Sequence, residues 1–334
     1  YSLHGSLGAT NPLLVRLERL PGVQVVASRP VDHLPSVEDL KQRDHRKLLV
    51  VDGVRATVSG RNLGRAYYRS FAEAHVSSSS THHDLPWLDA SVELAGPAAR
   101  LLDESFLEAF VEAGGASFEL LSAVPMGPTA VRVVIHRGLR DAYTLEAYRT
   151  LIEAARTRLV VVNSFPLQFE LQHALVDALS RGVRVSMLVG RARPSHGEDV
   201  PFAGAAYHGI ADVLVRARLS ALVGLGADVR ELLVPPPPGW DVSLGAVHPH
   251  VHAKMVCADD AVLAVGSANL DVTAGYWESE LLVLLSDPTT VQRVSARLDA
   301  LLADSSAIHP NDPKWQAGAP LRDFLGRVWP TVLA

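Results

Sequence analysis

The chain has 334 residues, of which 48% are hydrophobic, enough to bury a core and to form roughly two domains. A net charge of −5 argues against a dedicated nucleic-acid binder, whose binding face is basic, although a local basic groove stays compatible with it. One cysteine, Cys257, excludes an intrachain disulfide, and no run of 18 apolar residues predicts a membrane-spanning helix.

In chain order, LLVRLERLPG (13–22) reads as a helix and VQVVAS (23–28) as a strand. A surface loop, SRPVDHLPSVEDLKQR (28–43), then leads into HRKLLVVDGVRATVSGRNLG (45–64). The polar stretch VSSSSTHHDLP (76–86) reads as a loop, with His82 and His83 expected in solvent. DASVELAG (89–96) predicts a strand and ARLLDESFLEAFVEA (99–113) a helix, and MGPTA (126–130) reads as a linker. From Val131 strand-like and helix-like runs alternate: VRVVIH, TLEAYRTLIEAAR, RLVVVNSF, QHALVDALSRG and VRVSMLVG. LVRARLSALVGLGA and DVRELLV follow, then a Pro-rich loop holding Trp240, read as a lipid contact or a loop anchor. HAKMVCADDAVLAVGSANLD (252–271), the strand ELLVLL and the helix TVQRVSARLDALLA complete the pattern.

The segments 45–64 and 252–271 align without gaps, each matched pair 207 residues apart. They share His45/His252, Lys47/Lys254, Asp52/Asp259, Val58/Val265, Asn62/Asn269 and Leu63/Leu270. Fourteen histidines and four lysines placed at random yield fewer than one His-x-Lys pair; two occur, both with Asp at offset 7 and Asn at offset 17. A repeat at this separation, with helices and strands matching around it, predicts an α/β fold of two homologous halves. The second half has 121 residues between Val131 and His252, against 44 before His45, so the first half is expected to lack about 77 residues of equivalent material at its amino terminus.

The spacing has a chemical sense. Residues two apart on a strand share a face, so each histidine projects with its lysine, and the SGRN and GSAN turns return an asparagine beside them. Two imidazoles, two ammoniums and two carboxamides then converge on one anion. Lysine and asparagine suit the non-bridging oxygens of a phosphodiester. One imidazole can attack phosphorus and the other can serve as acid and base. His45 is preferred as nucleophile and His252 as acid. Asp89 and Glu280, at matching places in the two halves, are candidates to hold the far ring nitrogens. Ser267 is a candidate phosphate ligand or a turn residue, and Asp52 and Asp259 are candidate structural supports. The run His248, His250, His252 invites a metal reading, but Pro249 and the role of His252 argue against it, and the scheme needs no metal or other cofactor.

The paired HxKx4D segments with their downstream GxN resemble the motifs of the phospholipase D superfamily. RDHRKLLVVDG…SGRNLGRAYY and WLDASVELAGPAARLLDESF, together with NSFPLQFELQHALVDALSRGVRVSMLV, are similar to bacterial cardiolipin synthases. The resemblance runs from roughly Leu3 to Pro288. It implies two pseudo-symmetric phospholipase D-like α/β/α lobes packed face to face, at 1–125 and 126–308, with a tail at 309–334. It further implies phosphatidyl transfer or phospholipid hydrolysis through a phosphohistidine, with His45, Lys47, Asn62, His252, Lys254 and Asn269 lining the site. A phospholipid partner at a membrane surface, no stable nucleic-acid partner, and a cytoplasmic or peripheral-membrane location in a bacterium go with it. The rival expectations are a nuclease of the same superfamily and a non-catalytic phosphate- or lipid-binding scaffold. Val272–Thr273 and Glu278 stand where the resemblance leads one to expect Arg-Ser and Asn.

Overall fold

The computed structural model describes residues 12–31, 33–70, 73, 85–122, 124–190, 206–236, 239, 246–317 and 319–328. His82, His83 and Trp240 lie outside them. The fold is mixed α/β, built, among the described residues, on one sheet of eight strands and one of three.

The large sheet begins with β4 (Val131–Arg137), β5 (Arg158–Val162), β6 (Arg184–Val189) and β7 (Asp228–Glu231). The helices between them are α5 (Tyr143–Ala154), α6 (Phe169–Ser180) and α7 (Ala206–Gly224). RLVVV and RVSMLV are continuous apolar runs, as expected of strands covered on both faces, and β5, β6 and β7 pair in parallel through α6 and α7. β8 (Met255–Ala258), β9 (Val262–Gly266) and β10 (Ser279–Leu285) continue the sheet as an antiparallel meander. β5 closes one side of the meander and β4 the other. A short β11 (Ser306–Ala307) edges β7.

The small sheet is β1 (Leu48–Val51), β2 (Arg55–Ser59) and β3 (Ser91–Ala95), also antiparallel. Its register repeats that of the meander: Leu48↔Val58 recurs 207 residues on as Met255↔Val265. Ser59↔Ser91 and Gly266↔Leu282 are likewise equivalent, which places Asp89 and Glu280, each two residues earlier, at corresponding positions. Both hairpins turn through left-handed aspartates, Asp52 at φ 53° and Asp259 at φ 52°, a conformation aspartate tolerates better than most residues.

Ala56, Val58 and Leu94 of the small sheet pack on Val160, Val162, Leu281 and Val283 of the large one, with α4 (Pro97–Glu112) and α8 (Pro288–Ala303) in the same layer. A second core lies on the other sheet face, under α5, α6 and α7. Two expectations need correction. VQVVAS forms no strand: residues 23–27 are irregular, and no described strand lies beside them to accept their hydrogen bonds. The His-x-Lys pairs stand just before β1 and β8, in the extended segments that feed them, rather than within the strands.

Candidate active site

Two parallel bridges bring the halves together. Asp44 pairs with Ser279 and Val251 with Leu88. In each case the residue before a histidine lies beside the residue before a carboxylate of the other half, and backbone bonds from His45 N to Ser279 O (3.0 Å) and His252 N to Leu88 O (2.8 Å) fix the pairing. The carboxylates therefore cross over. His45 Nδ1 donates to Glu280 Oε1 at 2.7 Å, and His252 Nδ1 donates to Asp89 Oδ2 at 2.8 Å. Each histidine is held at Nδ1 by the acid of the opposite half, and a neutral ring with its proton on Nδ1 carries its lone pair on Nε2.

Lys47 Nζ donates to His45 O at 2.7 Å, and Lys254 Nζ donates to His252 O. Lys254 Nζ also lies 2.8 Å from His252 Nδ1. That nitrogen cannot both accept from the ammonium and donate to Asp89; the carboxylate is the stronger acceptor, so the proton faces Asp89. Burial depresses Lys254 to about 7 and Lys47 to about 8, against the pull of Glu280 and Asp89. Burial and the lysines also lower His45 to about 3 and His252 to about 4, so both rings are neutral at pH 7 in the empty site. Burial pushes Glu280 up to about 7, opposed by Lys47, Ser267 and Lys254.

The two asparagines differ. Asn62 donates to Tyr67 Oη at 2.9 Å, whereas the Oδ1 of buried Asn269 has no hydrogen-bond partner among the described residues. Ser267, a candidate for the phosphate, is fully buried behind the site: its hydroxyl donates to Glu280 Oε2 and accepts from Leu281 N, so it supports the acid instead. Asp259 sits away from the chemistry. It accepts from the amides of Arg156, Thr157 and Arg158 and from the Thr157 hydroxyl, tying the β8–β9 turn to the start of β5. Asp52 is exposed, at the matching turn of the small sheet.

Some neighbours carry no repeat signal and escape sequence reasoning. Trp87, Tyr67 and Phe165 wall the ring of His252, at centroid distances of 5.7, 5.1 and 6.1 Å, and Trp87 also packs on His250 at 4.4 Å. Trp87 stands two residues before Asp89 and His250 two before His252, the one pattern that could have flagged them. Glu278 is buried 3.7 Å from His45 Nδ1. His45, Glu278 and Glu280 each bring one ligand-type atom within 4.8 Å of the others. Within this cluster the closest contact is the hydrogen bond between His45 Nδ1 and Glu280 Oε1. In the His248–His250–His252 run, His248 faces Leu232 O, His250 faces Trp87 and His252 faces Asp89, three separate partners.

Residues 148–302 match a family model described as cardiolipin synthase, PLD-like domain. The chain is of the phospholipase D superfamily and resembles bacterial cardiolipin synthase. Cardiolipin synthase A of Pseudomonas aeruginosa (strain LESB58) is 30% identical over 275 residues, covering 81% of this chain and 48% of the relative. That of Pseudomonas entomophila (strain L48) is 27% identical over 288 residues, covering 81% and 50%. The chain thus spans about half the length of the curated relatives it matches. Among solved structures, phosphatidylserine synthase of Haemophilus influenzae Rd KW20 aligns at 18% identity with a TM-score of 0.46, over 68% of this phospholipase D-like chain and 51% of that one.

Proposed function

We propose that this chain forms the composite site of a phosphatidyltransferase or phospholipase D acting on phospholipid at a membrane surface, between two pseudo-symmetric lobes at 1–125 and 126–308. The observation that carries the reading is the pair of crossed His–carboxylate couples, with a lysine ammonium on the backbone carbonyl of each histidine. His45 Nε2 attacks phosphorus while His252 protonates the departing alkoxide, giving a phosphohistidine and a free alcohol. His252 then takes the proton of an incoming alcohol or water, which attacks the phosphohistidine and returns His45 to neutrality. Lys47, Lys254, Asn62 and Asn269 bind the non-bridging oxygens, where negative charge builds in the transition state. The substrate's own charge raises the pKa of His252 above its value in the empty site, readying it as an acid.

The similarity to cardiolipin synthases favours lipid over nucleic acid, and intact His–Lys pairs in both halves favour turnover over mere binding. Phosphatidylglycerol vesicles, with and without added alcohol, and single-stranded DNA are assayed side by side with lipid products read by mass spectrometry. Lipid transfer or hydrolysis is expected, and it is abolished in His45→Ala and His252→Ala. Cleavage of DNA alone transfers the reading to a nuclease. Binding without turnover on every phosphodiester makes the chain a scaffold.

A further inference from the structure

The helix α10 (Ala319–Val328) follows the short helix α9 (Pro313–Ala317) and packs along α7. Gly326 permits the close approach: a Cβ there would come 3.4 Å from the Cβ of Ala217. Between α6, α7 and α10 lies a cavity of about 430 Å³, into which Arg218, Arg322 and Arg327 converge with Gln172, Ser220 and Asp323. No group of the His–Lys site is among its walls.

Arg218 is the anomaly. It is 7% exposed and lies over the ring of Phe169, 5.4 Å from its centre. Its guanidinium makes no hydrogen bond or ion pair to a described residue, and its Nε is fully buried. Glu170, whose field reaches it, accepts instead from the Tyr276 hydroxyl at 3.0 Å and from Gln168 Nε2 at 3.1 Å. A buried cation without a partner is costly, and an anion in the cavity would relieve it. Arg322 is only half satisfied. It is 3% exposed, stacked 4.5 Å over the Trp315 ring, and its Nη1 donates to Trp315 O at 2.8 Å, but its buried Nε has no hydrogen-bond partner among the described residues. Asp323, exposed and 3.8 Å from that Nε, is the one carboxylate among the described residues of the wall, set against three guanidiniums.

The rim adds a second, independent feature. Phe324 and Val328 are 59% and 54% exposed, and their four-residue spacing puts them on one face of α10 together with Arg327. An apolar stripe beside clustered arginines is the pattern of a helix lying in a lipid interface: the apolar side chains enter the acyl boundary and the guanidiniums meet phosphates. An acidic peptide would satisfy the arginines, but nothing in its chemistry calls for the stripe.

We propose that the cavity between α6, α7 and α10 binds the phosphate of an anionic phospholipid, with Phe324 and Val328 entering the membrane beside it, as a second lipid site apart from the His–Lys centre. Arg218 and Arg322 take the non-bridging oxygens and Arg327 closes the rim. The proposal deepens, and rests on, the reading of the chain as an enzyme of phospholipid membranes.

The test is co-sedimentation of the whole chain with vesicles of phosphatidylcholine alone and of equimolar phosphatidylglycerol and phosphatidylcholine. Wild type is compared with Arg218→Met, Arg327→Gln and Phe324→Ser; the His–Lys site is intact in all of them, so its own hold on lipid is common to all. Wild type should prefer the mixed vesicles. Each arginine variant should bind them about fivefold more weakly, and Phe324→Ser should lose a similar factor. Turnover of soluble bis-p-nitrophenyl phosphate should be unchanged in the three variants. Arg218→Met should unfold at or above the wild-type temperature, because it removes an unpaired buried charge, whereas an arginine with a structural role would lower it. If Arg218→Met does not fold, the surface variants Arg327→Gln and Phe324→Ser decide. Vesicle binding that ignores all three residues overturns the site, and turnover of phospholipid by such variants leaves the catalytic reading standing. Residue-dependent binding by a chain inactive on phospholipid has the opposite meaning: the site holds and the catalytic reading falls. Retention on polyglutamate that depends on Arg218, without preference for phosphatidylglycerol, assigns the cavity to an acidic protein and overturns the proposal. So does inorganic phosphate that stabilises wild type but not Arg218→Met while vesicle binding stays the same, since the ligand is then a soluble anion.

Discussion

Crossed carboxylates make the two histidines experimentally separable. Under the proposed roles, Glu280 serves the nucleophile His45 and Asp89 serves the acid His252. A substrate with a p-nitrophenol leaving group needs little protonation, so its burst reports attack alone. Glu280→Gln presents an amide to His45 Nδ1 and should slow the burst by about 10²-fold or more, while Asp89→Asn leaves the burst and slows turnover on alcohol-leaving substrates by a similar factor. Stopped-flow release of p-nitrophenol reads both, and equal bursts in the two variants would reject the assignment. The lysines predict an alkaline limb. Lys254 at about 7 and Lys47 at about 8 lose their protons just above neutrality in the empty site, so kcat/KM, which reports free enzyme, should fall from pH 7 to 8 upward. A bound phosphodiester anion raises both ammoniums, so kcat should hold to higher pH. Coincident alkaline limbs for the two parameters would show that the lysines do not meet the anion.

At the scale of elements, the repeated hairpin has one anchored turn and one free one. Burial would raise the Asp259 carboxyl, but the backbone amides of Arg158, Thr157 and Arg156 outweigh it and hold the group down to about 2. Asp52 has the same left-handed backbone and makes no hydrogen bond to a described residue. Asparagine keeps the tolerance for positive φ, so Asp→Asn isolates the charge. Asp259→Asn should cost about 1 kcal/mol after allowance for solvent screening, and Asp52→Asn close to nothing. The folded pKa lies below the unfolded value of 3.8, so the Asp259 contribution is complete above that pH and fades as pH falls towards 2. Denaturant melts of both variants at pH 6 and pH 3 check the size and the sign; equal costs at the two turns would reject the anchoring role. The gapless match at offset 207 made the hairpins and the chemical residues legible in sequence, because register and turn are local. The crossing of Asp89 and Glu280 was not legible: 163 and 235 residues separate each acid from its histidine, and only the docking of the small sheet against the large one chooses the partner. The same limit explains VQVVAS, whose strand-like pattern needs a neighbour that local pattern does not supply.

At the scale of the molecule, one hairpin is folded in two surroundings. β8 is paired on both sides, by β5 and β9, while among the described residues β1 pairs with β2 alone. Val256 and Ala258 of β8 are 0% and 4% exposed; their counterparts Leu49 and Val51 of β1 are 63% and 48% exposed. Among the described residues β3 likewise has one partner where β10 has two. Sequence pattern and register being equivalent, any difference in local stability comes from the flanking strands and the helix layer of α5, α6 and α7. An edge strand opens without breaking a second ladder or uncovering a core, so its opening free energy falls well below the global value. Amides of β1 are therefore expected to exchange at least about 10²-fold faster than those of β8, measured by hydrogen exchange with mass spectrometry or NMR on the whole chain. Yet β1 leaves directly from Lys47, and β3 begins two residues after Asp89, so the sheet expected to be less protected carries half of the proposed catalytic groups. If β1 and β8 exchange alike, the small sheet is held by its packing on the large one, through Ala56, Val58 and Leu94, and the unpaired edges cost the site nothing.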